Sequence, residues 1–123
     1  MSKITAFVLA IGLLLYWVGT LAGPTQAAGD KTTAAVYKES CLRCHGEQGK
    51  GDGPAAKTIK NMKMTDWTSK EAMAKYSDED LYKVISGGGA AVGKSKLMPA
   101  YKDKMKEKEM RDLVAYVRSF AGK

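Results

Sequence analysis

The chain has 123 residues, of which 20 are Lys or Arg and 13 are Asp or Glu, for a formal net charge of +7 at pH 7. With the apolar N-terminus set aside, this is room for one domain of about a hundred residues, which excludes a second. A basic surface of this kind favours acidic partners or membrane surfaces. Nucleic acid is excluded as a partner, because no recognised binding module is present and the N-terminus reads as an export segment.

Lys3 is the only charged residue before Asp30, and Ile4 to Val18 is an apolar run. Residues 1–28 therefore read as a signal peptide or an N-terminal membrane anchor, and residues 29–123 as the folded domain. Cleavage is favoured by the break at Gly23-Pro24 and by small Thr25 and Ala27, placed where a signal peptidase reads before a cut ahead of Ala28. Retention is favoured by length: residues 4–23 approach the ~20 apolar residues that span a bilayer, so a membrane tether stays open. Either way Lys3 keeps to the cytoplasmic side, and the domain faces the periplasm or its equivalent.

The first helix is expected over Thr33 to Arg43, capped by Asp30 or Thr32, with Val36 and Tyr37 among its apolar positions. Its end carries Cys41-Leu42-Arg43-Cys44-His45, followed by Gly46. C-x-x-C-H is the attachment pattern of a c-type haem. Two thiols about one helical turn apart reach the two vinyl groups on one side of the macrocycle, and the next imidazole comes under the iron. A zinc site would need four ligands, and this chain offers two cysteines and one histidine. A thioredoxin-like pair would need a strand-helix-strand context, which the sequence does not provide.

Gly46 to Pro54 is too glycine-rich for a regular element and is expected as a loop winding close to the haem edge. It lacks the preceding strand and the Gly-Lys-Ser/Thr ending of a phosphate-binding loop. Ala55 to Trp67 shows no clear period, and Trp67 is open between a core role and hydrogen-bond donation to a haem propionate. Ser69 to Lys75 reads as a short helix. Ser77-Asp78-Glu79-Asp80 is a start signal for a helix over Asp78 to Ser86, stopped by Gly87-Gly88-Gly89. Ala90 to Ala100 is expected as a loop, and the last helix over Glu107 to Phe120, with Met110, Leu113, Val114, Val117 and Phe120 on one face.

His45 is the single histidine, so with its imidazole on one face of the iron the other face needs a different ligand, and methionine is the natural one. Met110 and Met73 lie in helical stretches, where methionine is core filler. Met105 sits in a lysine-rich run expected near the surface, and Met62 and Met64 precede no proline. Met98 precedes Pro99, which biases it toward an extended loop able to present a thioether from outside any helix. The expected site is thus Cys41, Cys44, His45 and Met98, with His45 and Met98 on the metal.

The architecture expected is all-α, about four short helices joined by long loops around one covalently bound haem, after the N-terminal apolar segment. Such a small core needs its cofactor, so the haem-free chain is expected to be largely unfolded.

The motifs in order resemble those of small monohaem class I c-type cytochromes, in the cytochrome c family. They are Cys41-Leu42-Arg43-Cys44-His45-Gly46, Gly49-Lys50-Gly51-Asp52-Gly53-Pro54, Ser77-Asp78-Glu79-Asp80-Leu81-Tyr82, Met98-Pro99-Ala100-Tyr101 and Leu113-Val114-Ala115-Tyr116-Val117-Arg118. The resemblance makes 29–123 a cytochrome c domain. It implies that the first and last helices cross, that His45 and Met98 bind the iron axially, and that the thioether edge of the haem is exposed. One departure is Lys60-Asn61-Met62-Lys63-Met64-Thr65, where relatives often carry a proline-containing segment beside the haem.

His/Met ligation saturates the iron, so the expected function is a periplasmic carrier of single electrons, not an enzyme. A membrane-tethered subunit of an oxidase, reductase or dehydrogenase is the alternative; an open-site sensor or peroxidase is disfavoured by Met98. Lys94, Lys96, Lys102, Lys104, Lys106 and Lys108 flank the Met98 loop and are expected either as a docking ring for acidic redox partners or as an ordinary solvated face.

Overall fold

The computed structural model describes residues 31–123; the signal or anchor segment, including residues 4–23, lies outside the described residues. Thr32 opens the first helix, its side chain accepting from the Ala35 amide at 3.3 Å. Helix α1 runs Thr33–Ser40 and α2 runs Leu42–His45, with Cys41 at the joint in a distorted helical conformation (φ −117°, ψ −36°). The single helix expected over Thr33 to Arg43 is therefore broken at Cys41, the first residue of the C-x-x-C-H pattern. The chain keeps its hydrogen bonds across the break, Cys41 N–H donating to the Tyr37 carbonyl and His45 N–H to the Cys41 carbonyl.

Proline at the first helical position needs no amide partner, and Pro54 opens a short helix α3, Pro54–Thr58, that the aperiodic sequence did not announce. Helix α4, Lys70–Met73, is capped by Ser69. Helix α5, Asp78–Gly87, carries the expected capping box between Ser77 and Asp80 and ends on Gly88, whose φ of 76° suits glycine. A 3-10 turn over Gly89–Val92 follows. Helix α6, Glu107–Arg118, buries Met110, Leu113, Val114 and Val117, and Phe120 continues the stripe from the turn beyond. No strand occurs among the described residues, so the fold is all-α, with two more helices than the four expected.

Helices α1 and α6 pack against each other through Tyr37, which meets Tyr116 and Phe120 at ring-centroid distances of 5.2 and 5.4 Å. Met73 and Met110 are buried fillers of this core, and the half-buried Met105 packs on it rather than standing at the surface. The largest fully buried side chains among the described residues are Tyr37, Met73 and Leu113, a thin centre for a domain of this length.

Candidate functional site

Between α2, the 62–67 segment, α5 and the Met98 loop lies a cleft with about 1310 Å³ of empty space, part of it open to solvent. Cys41, Cys44, His45 and Met98 all line it. Four residues chosen from a local motif and a proline neighbour are thus brought to one cavity by the fold.

Helix α2 sets the motif side. Its last residue is His45, and Gly46 turns the chain with φ 81° while its N–H donates to the Leu42 carbonyl at 2.8 Å. The motif is tied at both flanks: the Tyr37 hydroxyl donates to the Gly46 carbonyl at 2.6 Å and the Tyr101 hydroxyl to the Ser40 carbonyl at 2.9 Å. Trp67 stacks on the His45 ring, with centroids 4.1 Å apart and planes 18° apart, and stacks in turn on Phe120 at 6.4 Å. Trp67 is therefore a wall of the cleft joined to the core.

Burial draws the His45 imidazole down to about 4, so it stays neutral. Its Nδ1 is the one buried side-chain nitrogen or oxygen among the described residues with no hydrogen-bond partner. Cys41 and Cys44 are free thiols, both half-buried, and burial with the neighbouring Cys44 pushes Cys41 up to about 11. A neutral imidazole and two free thiols on an apolar wall suit a large apolar group with a metal at its centre.

The opposite side is a loop fastened by backbone. Gly89 N–H donates to the Met98 carbonyl at 3.1 Å, Lys94 N–H to the Gly89 carbonyl at 2.8 Å and Tyr101 N–H to the Ile85 carbonyl at 3.1 Å. A Cβ on Gly89 would stand 2.1 Å from the Ser95 carbonyl oxygen, and one on Gly88 2.9 Å from the Met98 carbonyl oxygen. The glycines that stop α5 are also those that admit the Met98 loop.

Residues 31–121 match the family model described as Cytochrome c. The chain belongs to the cytochrome c family. Cytochrome c6 of Nostoc sp. is 30% identical over 117 residues, covering 95% of this chain and 92% of that one. The solved KustC0563 c-type cytochrome is similar with a TM-score of 0.60 at 25% identity, over 74% of this chain and 99% of its own. As a cytochrome c, the protein is an electron-transfer protein with covalently bound haem c and its iron. The residues in the cleft fit that group: two free thiols, a neutral imidazole with its Nδ1 sealed away, and a thioether line one mainly apolar cavity.

None of Gly46 to Pro54 lines the cleft; bulk is excluded at its glycines by protein. A Cβ on Gly53 would lie 2.6 Å from the Leu42 carbonyl oxygen, one on Gly51 2.4 Å from Met64 Cβ, and one on Gly49 3.0 Å from both Trp67 and Phe120. Of the six lysines around the Met98 loop, all are exposed and Lys94 alone lines the cleft. Lys63, Met62, Met64 and Tyr76 also line it, and no local signal marked Lys63 or Tyr76.

Proposed function

We propose that this cytochrome c is an exported, periplasmic carrier of single electrons and not an enzyme on its own, with Cys41 and Cys44 forming the thioethers and His45 and Met98 the axial ligands. The observation that carries this reading is that all four side chains line one cleft, with Met98 fastened to its wall by the Gly89 amide. Similarity to a cytochrome c6 supports the carrier role and the exported location.

The haem, when bound, supplies a one-electron ferrous/ferric couple. His45 offers Nε2 with its Nδ1 buried and its ring held flat by Trp67. Met98 would hold the iron opposite His45 and so exclude substrate from the metal, which would favour outer-sphere transfer. Met62 and Met64 line the same cleft; Met98 is preferred to them because its carbonyl accepts from the Gly89 amide at the end of α5 and Pro99 follows it. Exposed Leu97, at 57%, beside Lys94 and Lys96 gives an apolar contact within a positive surface suited to an acidic redox protein.

The test is mass and spectrum of the exported protein. Haem that survives acid-acetone extraction in wild type but is lost in Cys41→Ala/Cys44→Ala is expected, together with electron-transfer rates to an acidic redox protein that fall as salt rises. Non-covalent haem, or rates indifferent to salt, would refute the attachment or the docking respectively. Recovery of uncleaved N-terminus in membranes would favour a tethered subunit over a free carrier.

A further inference from the structure

Within a cleft whose other walls are mainly apolar, three polar side chains meet: Thr65, Tyr76 and Lys94. Lys94 Nζ donates to the Tyr76 hydroxyl at 3.0 Å and sits 4.9 Å from the centre of its ring. Thr65 lines the same cleft and brings a second hydroxyl to it. The group is assembled from three separate segments, and each is anchored. Tyr76 is held through its carbonyl by Arg118 Nη2, while Arg118 Nε binds Asp78 at 2.7 Å and Nη1 donates to the Met73 carbonyl at 2.8 Å. Lys94 is placed by its own amide, which donates to the Gly89 carbonyl, after Gly93 turns the chain in the left-handed region at φ 70°.

Such a group has a chemical preference. No acidic side chain lines the cleft, so the Lys94 ammonium has no carboxylate there. The ammonium holds the Tyr76 phenol below its ordinary pKa, a sign of positive potential at that hydroxyl. An anion placed here would receive one charged and two hydroxyl donors, whereas against the apolar walls it would pay the cost of burying an unpaired charge. Haem c bears two carboxylates.

We infer that Lys94, Tyr76 and Thr65 form the carboxylate subsite of this cleft and hold a haem propionate. This rests on the haem reading above and adds to it the orientation of the group: the thioether edge is fixed at Cys41 and Cys44, and the propionate edge at the meeting of the 62–65 segment, the start of α5 and the turn after it. Lys94 is thereby a determinant of the reduction potential as well as of surface charge. Removing its positive charge favours the ferric state, because a cation near the iron opposes oxidation.

The experiment compares haem-loaded wild type with Lys94→Gln, Tyr76→Phe and Lys57→Gln. It records the paramagnetic NMR shifts of the propionate methylene protons and the midpoint potential. Lys94→Gln and Tyr76→Phe are expected to move the propionate resonances. Lys94→Gln is expected to shift the ferrous/ferric equilibrium toward ferric by about tenfold, ~59 mV for one electron. Lys57 is exposed and does not line the cleft, and its variant is expected to leave the propionate shifts in place. Unchanged shifts in both Lys94→Gln and Tyr76→Phe, or movement in Lys57→Gln alone, would overturn the assignment while leaving the haem reading intact. Absence of a covalent-haem spectrum in wild type would overturn both. Lys94 is exposed and Tyr76→Phe keeps the ring, so the variants are expected to fold.

Discussion

The two walls of the cleft are built on different principles. The His45 wall is an aromatic stack, His45 on Trp67 on Phe120, with Tyr37 beside Phe120, and it is continuous with the buried core. The Met98 wall is a loop fastened to the end of α5 by main-chain hydrogen bonds, and Leu97 and Pro99 on either side of Met98 are exposed. Side-chain packing therefore fixes His45, and two glycines that admit a close backbone approach fix Met98. The difference teaches that, under the proposed ligation, the His45 side should track global stability while the Met98 side can open locally, because a surface loop with few buried contacts belongs to the low-stability end of a fold.

The largest expected effect tests the packed wall. Phe120→Ala removes the ring beneath both Trp67 and Tyr37 and is expected to cost about 3–5 kcal/mol, read by denaturant unfolding of the haem-loaded protein. A cost below about 1 kcal/mol would show that the aromatic stack does not anchor the His45 side. Next, Gly89→Ala places a Cβ against the Ser95 carbonyl and should detach Met98 while leaving both thioethers intact. The expected readout is carbon monoxide binding to the reduced protein with a smaller loss of global stability than Phe120→Ala. Equal losses in the two variants would erase the distinction between the walls.

Tyr37→Phe sharpens the comparison at the motif itself. The Gly46 carbonyl loses its buried hydroxyl donor, which is expected to cost about 1–3 kcal/mol while the sixth ligand stays in place. Ser77→Ala is smallest, about 1 kcal/mol from the lost cap of α5. The same cap carries a pH signature. Hydrogen bonds from Ser77 hold Asp80 below the ordinary carboxylate range, so its contribution is present above that range and declines as pH falls through the depressed value. Acid titration of wild type and Ser77→Ala by circular dichroism should converge at low pH; a constant gap would refute the linkage.

What the sequence disclosed and what it withheld follow the same division. Helices α5 and α6 were legible because the capping box spans Ser77 to Asp80 and the apolar stripe from Met110 recurs at helical spacing, both within single elements. The cysteine and histidine positions were legible because their chemistry needs them within five residues of one another. Met98 was marked by Pro99, its immediate neighbour. The break at Cys41 left no trace in residue type, and α3 began at a proline that follows a run of glycines.

The purpose of the glycine loop was hidden for a different reason. Gly49 meets Phe120 and Trp67, and Gly51 meets Met64, all contacts between residues far apart in the chain. Lys94 and Tyr76 are 18 residues apart and meet only because the turn after α5 carries Lys94 back over the cleft. Reading Lys94 as one of six flanking lysines saw its charge and missed its partner.

The most direct test of the proposed His45 and Met98 ligation is the absorption spectrum of the oxidised, haem-loaded protein, searched for the weak far-red band of iron-thioether coordination. The expected result is a band present in wild type, retained in Met62→Leu and Met64→Leu and absent in Met98→Ala. A wild-type protein without the band that binds carbon monoxide readily, or a band that survives Met98→Ala, would contradict it.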